Sequence, residues 1–187
     1  MRLNYTYMDS RLYMIALIPP EPLAKKIREV QSHIEKKYGS SESLRRPVHL
    51  TLIPPFRRTL NEVKQMEEVL QSFCSSEEAF LVRIDGFDCF ERNRVIFLSI
   101  RPPGPVASFR QELRDALEME CALFLEARER KFHPHITVGY RDLYREPFEN
   151  AWEEFNGMDF RDVWEASTVD LLIHDGEWKP MSVFHLS

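Results

Sequence analysis

Apolar positions along the chain follow two rhythms, one of strands and one of helices. Residues 12–18 (LYMIALI) form a continuous apolar run, too short for a helix before Pro19-Pro20, and predict a buried central strand. From residue 21 to 38, Leu23, Ile27, Val30 and Ile34 recur every three or four positions and mark one helical face, with Gly39 where a helix ends. Residues 40–46 then read as a polar loop. The alternation of residues 48–53 predicts a strand that begins near Pro47 and stops before Pro54-Pro55. Asn61 is placed to cap a second helix running to about Ser75, with Val63, Met66, Val69, Leu70 and Phe73 inward. Two strand-like runs, 80–87 and 95–100, flank the polar cluster 91–94 and predict a hairpin. After the break at 102–105, Phe109, Leu113, Leu117 and Leu123 support a long helix over 106–125, and residues 132–140 return to strand. The last third predicts a helix around 148–155 and strands at 169–173 and 183–186, with Asp175-Gly176 as a tight turn.

Strands that are hairpin neighbours, interleaved with three or four helices, indicate an α+β protein with a mixed or antiparallel sheet rather than a doubly wound parallel one. The 187 residues suit a single domain, spanning 1–187, made of two intimately packed lobes. With 25 Lys+Arg against 30 Asp+Glu, the chain is acidic, so any basic site must be local. Three widely spaced cysteines, Cys74, Cys89 and Cys121, suit a reducing cytoplasm, and no membrane span or export signal is read. The expected state is a monomer.

A faint repeat carries the chemistry. Val48-His49-Leu50-Thr51-Leu52 and Pro134-His135-Ile136-Thr137-Val138 present a histidine and a threonine in the same strand register, 86 residues apart. On a strand, residues two apart share a face, so His49 and Thr51 project together, as do His135 and Thr137, while the intervening apolar residues anchor the other face. Given the composition, about 0.16 such motifs would arise by chance, and two copies with a probability of roughly 0.01. Imidazoles accept and donate protons near neutral pH, and threonine hydroxyls donate to phosphate oxygens without adding charge. Two of each point to a phosphodiester, with one histidine as base and the other as acid; sequence does not decide which.

These pieces, together with Phe56 after the first motif and Phe132-His133 before the second, resemble the two signatures of the two-histidine (2H) phosphoesterase superfamily, especially its bacterial 2′-5′ RNA ligase-like (LigT-like) members. The resemblance covers most of the chain. It implies two pseudo-symmetric α+β lobes facing a central cleft, with His49, Thr51, His135 and Thr137 as catalytic residues. It also implies chemistry at ribose 2′ positions: hydrolysis of 2′,3′-cyclic phosphodiesters of RNA ends or small nucleotides to 2′-phosphates, or 2′-5′ ligation. Many relatives carry Arg or Lys shortly after the second motif, where this chain has Tyr140 and then Arg141.

Basic and aromatic residues gather beside both motifs. Arg46, Arg57, Lys131 and Arg141 are candidates to meet flanking phosphates, and Tyr13, Phe56 and Tyr140 to stack on a base or wall the cleft. His133-x-His135 could hold a metal only with further ligands that the sequence does not indicate, so neither a metal nor another cofactor is expected. His33 reads as exposed, His174 and His185 as structural, and the acidic stretches 62–68 and 149–154 as solvated helix faces. No G-x-S-x-G elbow, P-loop or G-x-G-x-x-G fingerprint is present. The rival from another class is a non-catalytic nucleotide- or RNA-binding module, which would bind without turnover.

Overall fold

A computed structural model of the protein describes residues 10–125 and 132–187. Among the described residues eight strands, β1 (Arg11–Leu17), β2 (Leu50–Arg58), β3 (Phe80–Phe90), β4 (Val95–Ile100), β5 (His135–Gly139), β6 (Arg161–Ala166), β7 (Thr168–Asp175) and β8 (Glu177–His185), are interspersed with four α-helices. The helices are α1 (Glu21–Tyr38), α2 (Leu60–Ser76), α3 (Gly104–Cys121) and α4 (Arg145–Phe155). The strands form two four-stranded sheets, ordered β2-β1-β7-β8 and β5-β4-β3-β6, and every neighbouring pair is antiparallel. The α+β class is therefore as expected.

The continuous apolar run of β1 follows from burial on both faces. Tyr13, Ile15 and Leu17 join the main core, while Met14 and Ala16 pack with Leu172 and Trp178 on the opposite face. Several predicted boundaries move. β2 does not stop at Pro54-Pro55 but runs through them to Arg58, because it is an edge strand bonded only to β1 and proline's missing donor costs little there. The first motif histidine, His49, immediately precedes this strand. Helix α2 is capped by Thr59 rather than Asn61: the threonine hydroxyl accepts from the Glu62 amide while the Glu62 carboxylate accepts from the Thr59 amide, a reciprocal capping box. α3 ends at Cys121, short of residue 125, with Ala122 left-handed at φ 48°. β5 starts only at His135, after Pro134.

The sequence pattern gives no sign of β6, an edge strand whose charged outward residues, Arg161 and Glu165, mask the inward pair Trp164 and Ala166. β8 likewise begins at Glu177, well before residue 183, and Gly176 at φ 79° makes the predicted turn between β7 and β8. The acidic stretch on α4 is not wholly solvated either. Glu154 takes hydrogen bonds from Lys37 and Tyr38 and pairs with His33, tying α4 to α1. These bonds, that of Lys37 foremost, hold its pKa down to about 2. No helix among the described residues is long and apolar enough to cross a membrane. The three cysteines are free thiols.

Candidate active site

Each sheet carries one His-x-Thr strand at its edge, β2 in the first and β5 in the second, and these two edges meet. An edge strand leaves carbonyls without a ladder partner. Here side chains from other elements supply it: Gln31 of α1 donates to the Thr137 carbonyl at 3.1 Å, Ser43 to that of Val138 at 2.8 Å, and Arg110 of α3 to that of Leu52 at 3.1 Å. Helix α1 thus follows a strand of the first sheet yet packs on β5 of the second, and α3, which follows the second sheet, touches both that sheet's β3 and the first sheet's β2. Side chains from α1 and α3 hold the motif strands from outside their ladders.

The two histidines are held alike. His49 Nδ1 lies 2.7 Å from the Pro47 carbonyl, and His135 Nδ1 lies 2.7 Å from the His133 carbonyl. A carbonyl can only accept, so each Nδ1 must carry a proton, and each neutral ring keeps its lone pair on Nε2. Burial, opposed by the Pro47 bond and aided by the Arg46 guanidinium and His135, lowers the His49 pKa from 6.5 to about 4. Burial likewise lowers that of His135, aided by His133. His135 also packs against aromatic rings, with centroids 4.9 Å from Phe97 and 5.3 Å from Phe90.

His49, Thr51, Thr137, Arg46 and Tyr140 line a cavity of about 100 Å³. At roughly 30 Å³ per water, this is room for about three waters or one tetrahedral oxyanion. Among the described residues the Thr51 hydroxyl has only the Met14 sulfur, a weak acceptor, at 3.8 Å. The Arg46 guanidinium sits between two rings, 5.2 Å from Tyr140 and 5.9 Å from Trp178, and so bridges the second sheet's motif strand to the first sheet. Its loop is fixed by Asp142, whose carboxylate accepts from the Ser40 hydroxyl at 2.7 Å and from the amides of Ser41 and Glu42 at 2.7 and 3.1 Å. Burial works against the Asp142 charge, but these donors hold its pKa below the usual carboxylate value.

Of the residues singled out in the sequence, His49, Thr51, Arg46, Thr137 and Tyr140 share this cavity, and His135 stands beside Thr137 on β5. Two aromatics do not reach it. Tyr13 is fully buried and Phe56 is 8% exposed; they are register partners in the main core, on the face of β1 opposite Met14 and Ala16. Strand alternation turns Met14, not Tyr13, toward Thr51, so neither ring is available for stacking. Arg57 is exposed, six residues further along β2 than Thr51, with a 3.4 Å bond to the Ser10 carbonyl. Arg141 is exposed beside the cavity, its guanidinium 5.7 Å from the Tyr140 ring. Lys131 lies outside the described residues. Gln31, Ser43, Asp142 and Trp178 carry no signal in the sequence, where no motif links them to residues so distant along the chain. Among the described residues, no group of three or more His, Cys, Asp or Glu is gathered as a metal cage.

The profile of the 2′-5′ RNA ligase superfamily matches residues 19–178. A Geobacillus kaustophilus protein provisionally named a phosphoesterase is 26% identical over 178 residues, covering 92% of this chain and 94% of its own. A similarly named Bacillus mycoides protein is 24% identical over 166 residues, covering 87% and 92%. Among solved structures, Escherichia coli LigT complexed with 3′-AMP superposes with a TM-score of 0.67 at 20% identity, covering 96% of this chain and 99% of that one. TT0787 of Thermus thermophilus superposes with 0.68 at 18%, covering 94% and 97%. Paired His-x-Thr strands on facing sheet edges, the shared fold and a profile match over most of the length together make this chain a member of the 2′-5′ RNA ligase superfamily.

Proposed function

We propose that the protein is a phosphoesterase that opens 2′,3′-cyclic phosphodiesters, on RNA 3′ ends or small nucleotides, to 2′-phosphomonoesters. The observation that carries this reading is the matched tethering of His49 and His135 through Nδ1, which leaves each Nε2 free for proton transfer, with His49 lining the cavity that holds Thr51 and Thr137 and His135 two residues before Thr137 on β5. Solved complexes of Escherichia coli LigT with 3′-AMP and with phosphate support it. The phosphate enters the small cavity, where Thr51 and Thr137 donate to its non-bridging oxygens and Arg46 offsets its charge. Burial, aided by Arg46, keeps His49 neutral, and His49 is assigned as the base. Its Nε2 takes a proton from water as the oxygen attacks phosphorus. The bond from phosphorus to the ribose 3′ oxygen breaks, and His135, acting as the imidazolium with protons on both ring nitrogens, gives its Nε2 proton to that oxygen, leaving a 2′-phosphate and a free 3′ hydroxyl. Acid, base and hydroxyl donors all come from the chain, so the reaction needs no metal.

The test is turnover of 2′,3′-cyclic AMP with EDTA present. His49→Ala and His135→Ala should each lower kcat by about 10² to 10⁴ while circular dichroism and Tm stay near wild type. Full activity in either variant, or activity abolished by EDTA and restored by zinc or manganese, would refute the assignment. Saturable binding without product would identify a nucleotide-binding module instead.

A further inference from the structure

A second cavity, of about 300 Å³, is lined among others by Ser99, Arg101, Phe132 and His133. Along the second motif, Thr137 borders the smaller cavity and His133 this one, with the His133 ring 6.3 Å from that of His135. Ser99 is the register partner of His135 across the ladder between β4 and β5. Cross-strand partners project from the same face, so the serine side chain lies on the face that carries His135. Ser99 is 2% exposed, and its hydroxyl has no hydrogen-bond partner among the described residues. Buried hydroxyls are nearly always paired, with protein or with water, so one without a protein partner that borders a cavity is a donor open to a bound molecule. Phe132, whose ring also meets the core and the Arg110 guanidinium at 4.7 Å, and the exposed His133 imidazole border the cavity with aromatic surface of the kind that contacts a base or sugar. The Arg101 side chain is 58% exposed and pairs with Asp88 at 3.5 Å, a loose surface contact that leaves its charge free to meet an anion.

We propose that this cavity is the subsite for the terminal nucleoside of an RNA 3′ end, bonded by Ser99 and walled by Phe132 and His133, with Arg101 meeting the next backbone phosphate. The volume suffices for one nucleoside and stands at the low end of ligand pockets, roughly 300 to 1,000 Å³. The inference rests on the phosphoesterase reading above and sharpens it: the preferred substrate carries a phosphate on the 5′ side of its terminal nucleoside. The experiment compares 2′,3′-cyclic AMP with an adenylyl dinucleotide ending in a 2′,3′-cyclic phosphate. Wild type should show the lower KM for the dinucleotide. Ser99→Ala should raise that KM by about 5-fold with kcat changed less than about 2-fold. Arg101→Gln should also raise it and narrow the gap between the two substrates. Because Ser99→Ala removes an unpaired buried hydroxyl, its Tm should equal or exceed that of wild type, which separates lost binding from lost structure. Unchanged KM values in both variants would overturn the subsite. Should wild type turn over neither substrate, the phosphoesterase reading fails separately. Calorimetry with the dinucleotide bearing a terminal monophosphate then decides: weaker binding by Ser99→Ala sustains the subsite, and equal or absent binding overturns it.

Discussion

Asp170 shows how much a single buried charge can weigh. It lies mid-strand on β7 opposite Ala16, which itself lies opposite Thr51, and it is 5% exposed with one carboxylate oxygen unpartnered. Burial alone pushes its pKa from 3.8 up to about 6. A folded-state pKa above the unfolded one means that the neutral acid is the form compatible with folding. Stability from this group is therefore complete below pH 4 and falls as pH rises through about 6. Two pKa units correspond to about 3 kcal/mol. Asp170→Asn should gain up to that amount over wild type at pH 7.5 in urea unfolding, and the gain should shrink toward zero at pH 4. Parallel stability curves for the two proteins would show that Asp170 finds a partner in solution.

At the scale of elements, the site depends on edge strands held by distant residues. Asp142, just after β5, gathers the amides and hydroxyls that begin the loop before the first motif, so it couples β5 to the segment carrying Arg46 and leading to His49. Asp142→Ala leaves those donors unsatisfied and should cost about 1 to 3 kcal/mol of stability by denaturant unfolding. It should also raise KM for a cyclic nucleotide, since Arg46 loses its anchorage. The depressed pKa sets the sign of the pH effect: the stabilisation exists above the usual carboxylate range and disappears as pH falls through the lower folded value. An unchanged unfolding midpoint would mean that the loop holds itself. Elements with a strong apolar period, such as α1 and β1, are legible in sequence because burial imposes the period directly. β6 is not, since its exposed side alternates charges with only two inward apolar residues. β2 is legible only to its prolines, because nothing local reveals that its outer edge has no strand partner.

For the whole molecule, the two sheets set the pH at which the chemistry runs. Closing the motif edges together desolvates both imidazoles and puts Arg46 beside His49, so both rings titrate below their ordinary 6.5. The base must be neutral, so kcat/KM should fall as pH drops through about 4. The acid must be protonated, so kcat/KM should also fall as pH rises past the lowered value of its partner. The two limbs belong to the coupled pair rather than to either ring alone. The expected profile is a bell with its maximum on the acid side of pH 6.5. A plateau from pH 6 to 9 would contradict this arrangement.

The amino-acid order by itself determined the α+β class, the main periodic elements and the two His-x-Thr pairs, since burial periodicity and residue chemistry are local properties written along the chain. Tertiary structure alone decided which neighbours serve those pairs. Sheet pairing and alternation put Tyr13 and Phe56 into the core, set Ser99 beside His135, and brought Arg46 between Tyr140 and Trp178. Contacts between residues tens of positions apart arise only when strands pair and the two sheet edges meet, and no local pattern encodes them.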